Sequence, residues 1–113
     1  LKKDVVHLET INNLASLLIA QKRYTEAEII LGKALSSGKS NANIYFNLGV
    51  VSSFQKDYDS AAKYFLKVVE FNPDDAVAHF LAGKELLKLG EREKGDKHIA
   101  KARQLDPDNK KFY

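Results

Sequence analysis

The chain repeats itself every 34 residues, and that period constrains its fold more than any other feature. Displaced by one period, Leu14 falls on Leu48 and Ala82, and Ala15 falls on Gly49 and Gly83. The same step carries Ala27 to Ala61 and Gly95, Leu31 to Phe65 and Ile99, and Ala34 to Val68 and Ala102. Pro73 meets Pro107, with Lys39 in the first place of that series. The middle copy, residues 45–73, shows what one period contains. Tyr45, Leu48 and Gly49 recur at helical spacing, with Phe46, Val50 and Phe54 beside them. Gln55-Lys56-Asp57 breaks the pattern, which resumes as Tyr58, Ala61, Phe65, Val68 and Val69 until Pro73 stops it. Two amphipathic helices joined by a short turn fit this spelling. One such hairpin cannot bury its own apolar face, so it needs neighbours built like itself.

With these signposts recurring together, the chain resembles a tetratricopeptide repeat (TPR) array, whose unit is a 34-residue helix-turn-helix. The resemblance implies an all-α fold, a right-handed superhelical stack of antiparallel hairpins. Repeat units are expected at about 8–41, 42–75 and 76–109 of a single domain, with 110–113 beginning a further helix or forming an apolar tail. Phe112-Tyr113 carries both alternatives, since Tyr113 falls two periods after Tyr45.

A length of 113 residues holds three such hairpins, near the minimum for a stable stack. No run of about 18 apolar residues suggests membrane insertion, and Leu1-Lys2-Lys3-Asp4 lacks the apolar core of a signal peptide. A cytoplasmic location is the default expectation, although cysteine-free chains occur on both sides of the redox divide. The absence of cysteine excludes disulfides and thiolate metal sites. Methionine is absent even at position 1, and the expectation drawn from this is an excised piece of a longer protein. The net charge of +3 comes from interspersed acids and bases, including Lys94, Lys97, Lys101 and Arg103 among Glu91, Glu93, Asp96 and Asp106. That mixture describes a solvated helix face, and no nucleic-acid partner is expected.

In chain order, Asp4 should cap a first helix over residues 5–21, with Leu8, Ile11, Leu14, Ala15 and Leu18 as its core face. Lys22-Arg23 makes the turn, Tyr24 wedges at the corner, and a partner helix over 25–36 turns Ala27, Ile30, Leu31, Ala34 and Leu35 inward. Gly38 is a candidate left-handed C-cap and Asn41 a candidate N-cap. Ala15, Gly49 and Gly83 face Ala27, Ala61 and Gly95 where paired helices must approach closely. The third unit departs most, with His79 in the slot of Tyr45, Arg92 in that of the corner tyrosine, and Gly95 for alanine.

Nothing in the sequence spells catalysis. His7, His79 and His98 share no helical spacing, and no phosphate-binding glycine loop or nucleophile motif occurs. Asp74-Asp75 sits where carboxylates favour the next helix's N-terminus. Neither a cofactor nor a metal is expected.

The resemblance implies that the first helix of each hairpin lines an inner groove that binds a protein or peptide partner. Carried over slot by slot, that groove includes Asn12, Asn13 and Ser16, then Phe46, Asn47 and Val50, then Phe80, Leu81, Lys84 and Lys88. Asn13 and Asn47 occupy matching slots, similar to the amide ladder of peptide-binding members of the family, until Leu81 breaks it. The alternative is that asparagine there is a tolerated polar residue. Phe46 and Phe80 either offer an apolar strip to a partner or pack between adjacent hairpins. The two-carboxylate clamp by which some family members hold chaperone tails needs a set of Lys, Asn and Arg side chains; only Asn47 fits, so chaperone tails are not expected to bind. A structural role is the other reading, with end-on homo-oligomer formation through Ile99, Ala102 and Leu105.

Overall fold

The computed structural model describes residues 7–113. Six α-helices follow one another: α1 (Leu8–Ala20), α2 (Tyr24–Ser36), α3 (Ala42–Phe54), α4 (Tyr58–Phe71), α5 (Ala76–Lys88) and α6 (Arg92–Leu105). A 3₁₀ turn, Lys110–Phe112, follows α6. Helices α1, α3 and α5 begin 34 residues apart, as do α2, α4 and α6. The stack measures 45 × 25 × 22 Å. Asp4 lies outside the described residues, and α1 starts at Leu8 after His7.

The period is reproduced in the backbone chemistry of the hairpin corners. Lys22, Lys56 and Gly90 each take a positive φ, 63°, 63° and 83°. The amide after each donates five residues back: Arg23 to Leu18 O at 2.8 Å, Asp57 to Ser52 O at 2.9 Å, and Glu91 to Leu86 O at 2.9 Å. This is the Schellman stop, which satisfies carbonyls left open at a helix end. Gly38, at φ 80°, ends α2 in the same way, as its sequence position predicts. Side chains start the next helices: Asn41 accepts from Ile44 N at 2.9 Å and Asp75 from Ala78 N at 3.0 Å.

Two corners thus hold lysine in a conformation that suits glycine. The left-handed region strains an L-residue by about 1–2 kcal/mol, partly offset by the entropy glycine loses on folding. Lys56→Gly is therefore expected to stabilise the chain by about 0.5–1 kcal/mol, read as a higher urea midpoint at unchanged slope.

The core runs between the two rows of helices. Ala15, Leu18, Ala27, Leu31, Ala34, Ile44, Leu48 and Val51 form one buried cluster, and Ala61, Phe65 and Ala82 form a second. Phe65 is the largest fully buried side chain. Ile30 and Leu35 pack at the edge of the first cluster, as do Leu8 and Ile11. Leu14 corrects the expected core face. It is 45% exposed, whereas Leu48 and Ala82, one and two periods on, are buried. Among the described residues no helix precedes α1 to cover that side.

Small residues mark the closest approaches. A Cβ on Gly83 would stand 2.8 Å from the backbone oxygen of Gly95, and one on Gly95 would stand 2.9 Å from that of Gly83. A Cβ on Gly49 would meet the Phe65 ring at 2.7 Å. Close packing is why glycine persists mid-helix at these three positions.

Candidate functional site

Helices α1, α3 and α5 are tied side by side into one face. Asn47 Nδ2 on α3 donates to Asn12 Oδ1 on α1 at 3.1 Å, and Ser53 Oγ on α3 donates to Glu85 Oε2 on α5 at 2.9 Å. Every residue expected to line a groove lies on these three helices. On α1, Asn12 is buried, while Asn13 and Ser16 are exposed. On α3, Phe46, Asn47 and Val50 are half-buried. On α5, Phe80 and Leu81 are half-buried, and Lys84 and Lys88 are exposed.

The aromatic strip is divided between the chain and the solvent. Phe46 meets Phe65 edge-on, 5.7 Å between ring centres, and packs with Val50 and Leu81 on the second core cluster. Phe80 lies 4.9 Å from the ring of Phe112, which the terminal turn carries into burial. Each ring thus has one face on its own chain and leaves the remainder outward. The lysines are also placed by aromatics: Lys84 Nζ stands 5.5 Å from the Phe80 ring centre and Lys88 Nζ 4.8 Å from that of Tyr58. Tyr24 stacks on Phe54 at 5.0 Å in the same register, one period earlier.

Between α3 and α5 the face hollows into a cavity of about 200 Å³ lined by Val50, Ser53, Phe54, Phe65, Leu81 and Glu85. Glu85 is 2% exposed. Its Oε2 has both the Ser53 hydroxyl and Lys88 Nζ, the latter at 3.6 Å. Its Oε1 has no partner. Among the described residues only one other buried side-chain polar atom is without a partner, Nδ2 of Asn12 on the same face. Sequence reasoning missed Glu85, although the period would have found it: the slot is Leu17, then Val51, then a carboxylate. A charged residue in the place of a fully buried valine marks it.

The histidines meet across a distance that spacing hides. His79 Nε2 lies 2.8 Å from Pro73 O, and His79 Nδ1 lies 3.0 Å from His98 Nδ1. A carbonyl only accepts, so His79 carries its proton on Nε2 and accepts through Nδ1 from His98. No group of three metal-ligating side chains converges among the described residues. Burial, then His79, then Lys97 lower the His98 pKa below its ordinary value near 6.5. The unfolded chain therefore takes up this proton at a higher pH than the folded one. Stability is full above about pH 6.5 and falls as pH drops through that value towards the lowered pKa. A urea midpoint lower at pH 5.5 than at pH 7.5, with the difference reduced in His98→Gln, is the expected result.

Among the described residues no helix is long and apolar enough to cross a membrane. A tetratricopeptide repeat family model matches residues 7–74, more than half of the chain. The human protein O-mannosyl-transferase TMTC3 is 31% identical over 74 residues, 66% of this chain and 8% of that protein. The crystal structure of YrrB, described as a TPR protein with an unusual peptide-binding site, superposes at a TM-score of 0.82 with 26% identity, covering 87% of this chain and 50% of that one. The crystal structure of MamA superposes at 0.88 over 99% of this chain and 66% of its own, at 20% identity, a likeness of fold.

Proposed function

Because the chain belongs to the tetratricopeptide repeat family, we propose that it is a protein-interaction module, binding an extended segment of a partner protein along α1, α3 and α5 without catalysis of its own. We take residues 8–41, 42–75 and 76–109 as its three units. One observation carries the reading. Among the described residues, both buried side-chain polar atoms that lack a partner, Asn12 Nδ2 and Glu85 Oε1, belong to this face. An unmet buried donor or acceptor costs about 1–3 kcal/mol, and a peptide backbone brings both kinds of complement. Asn13 is exposed next to Asn12 on α1, and Asn47 keeps its amide oxygen for a donor. YrrB, described by its peptide-binding site, supports the same use of the fold. The O-mannosyl-transferase relative is a far longer protein, of which this chain matches 8%, and the segment's share in such a protein is taken to be binding.

Covering the outward half of a phenylalanine ring removes on the order of 100 Å² from water, about 2.5 kcal/mol at about 25 cal/mol per Å². Two such rings with a few backbone hydrogen bonds reach the micromolar range, about −8 kcal/mol. The test is a peptide selected from a random display library and titrated by fluorescence anisotropy. Phe46→Ala should weaken it more than tenfold and Asn13→Ala about two- to tenfold, with circular-dichroism melts showing that both variants fold. Peptides whose affinity ignores both changes, or a library that yields no binder, would refute the groove. Light scattering of the same samples reports any self-association.

A further inference from the structure

The hollow between α3 and α5 has a composition that selects what enters it. Its walls are Val50, Phe54, Phe65 and Leu81, and its one charged group is Glu85. A volume of about 200 Å³ suits one side chain; pockets for drug-sized ligands begin at about 300 Å³. Oε2 of Glu85 is occupied by Ser53 and Lys88, and Oε1 alone is unpaired and shut off from water. The terminal torsion of a glutamate is broad and soft, so a small rotation turns that oxygen towards the cavity. The site therefore offers one acceptor at the end of an apolar sleeve.

Three kinds of side chain could fill such a sleeve. A purely aliphatic one would seal the unpaired oxygen in without a donor. A guanidinium or ammonium would add a cation to a carboxylate that already holds Lys88 at 3.6 Å, with Lys84 exposed one residue before Glu85. A neutral donor on an aromatic body meets every condition. We propose that this pocket takes the phenol of a tyrosine or the indole of a tryptophan from the bound segment, donating its single O–H or N–H to Glu85; the proposal rests on the groove reading above. Phe54, 57% exposed, gives the entering ring an aromatic neighbour.

Side-chain analogues test this without knowledge of the partner. In methyl NMR of the whole chain, 4-ethylphenol and 3-methylindole should move the signals of Val50 and Leu81, binding about tenfold more tightly than ethylbenzene. n-Butylguanidinium should bind more weakly than the phenol, and Glu85→Leu should abolish the phenol's advantage. The ranking on the unaltered chain decides the matter even if that variant fails to fold. Equal affinities for 4-ethylphenol and ethylbenzene, a preference for n-butylguanidinium, or no response at Val50 and Leu81 would overturn the assignment. So would library-selected peptides that lack tyrosine and tryptophan yet are lost on Phe46→Ala, an outcome that leaves the groove itself standing.

Discussion

Replacing Phe65 by alanine is expected to destabilise the chain by about 3–5 kcal/mol. Phe65 is 1% exposed and the largest side chain buried this completely. It ties its own hairpin to the next: the ring meets Phe46 of α3 edge-on, fills the space a Cβ on Gly49 of α3 would claim, and lies in one cluster with Ala82 of α5. Its removal leaves a void between α3, α4 and α5, where closely packed helices cannot collapse fully to fill it. A domain of this size has a total stability of only about 5–15 kcal/mol, so the variant should show a large fall in urea midpoint. Phe65→Leu, which retains most of the volume, should lose less than half as much. A loss below about 1 kcal/mol for alanine would mean that the stack is not cemented through this ring.

The second large effect is a reversal of sign among glycines. In an open helix, Gly→Ala gains about 1 kcal/mol, and Gly32, whose added Cβ would meet nothing within 4 Å, should gain that much. At Gly83 the same change should be a net loss of about 1–3 kcal/mol. The new methyl would stand 2.8 Å from the Gly95 oxygen and 2.7 Å from Ile99 Cγ1. The first of these is backbone, so α6 as a whole must retreat. Gly49→Ala should lose less, because its obstacle is a ring that can tilt. Paired chemical denaturation of Gly32→Ala and Gly83→Ala checks the prediction, and two shifts of the same sign would refute the close crossing of α5 and α6.

The architecture was legible because its determinants are local. Turn residues, caps and helical spacing lie within one period: the second helix, expected from 25, starts at Tyr24, Asn41 caps α3, and α4 starts at Tyr58, where the apolar pattern resumes. Leu14 escaped because burial of its slot depends on a neighbouring hairpin, and the slot's later occupants, Leu48 and Ala82, have one. The meeting of His79 with His98 and of Phe80 with Phe112 joins residues whose separations carry no periodic signal. Glu85 was legible in principle, as the one carboxylate in a slot otherwise held by Leu17 and Val51, but only a comparison between copies exposes it. The ten expected groove residues follow from the family's geometry, and their use by a partner is what the binding experiments address.

The corners at Lys22, Lys56 and Gly90 have a consequence for growth. Each releases the chain with one and the same pair of backbone bonds, so in every hairpin the second helix leaves the first on the same heading. The paired rod is then one piece made three times over. A protein assembled on that rule can be lengthened by duplicating one stretch of its gene, with no joint to reinvent.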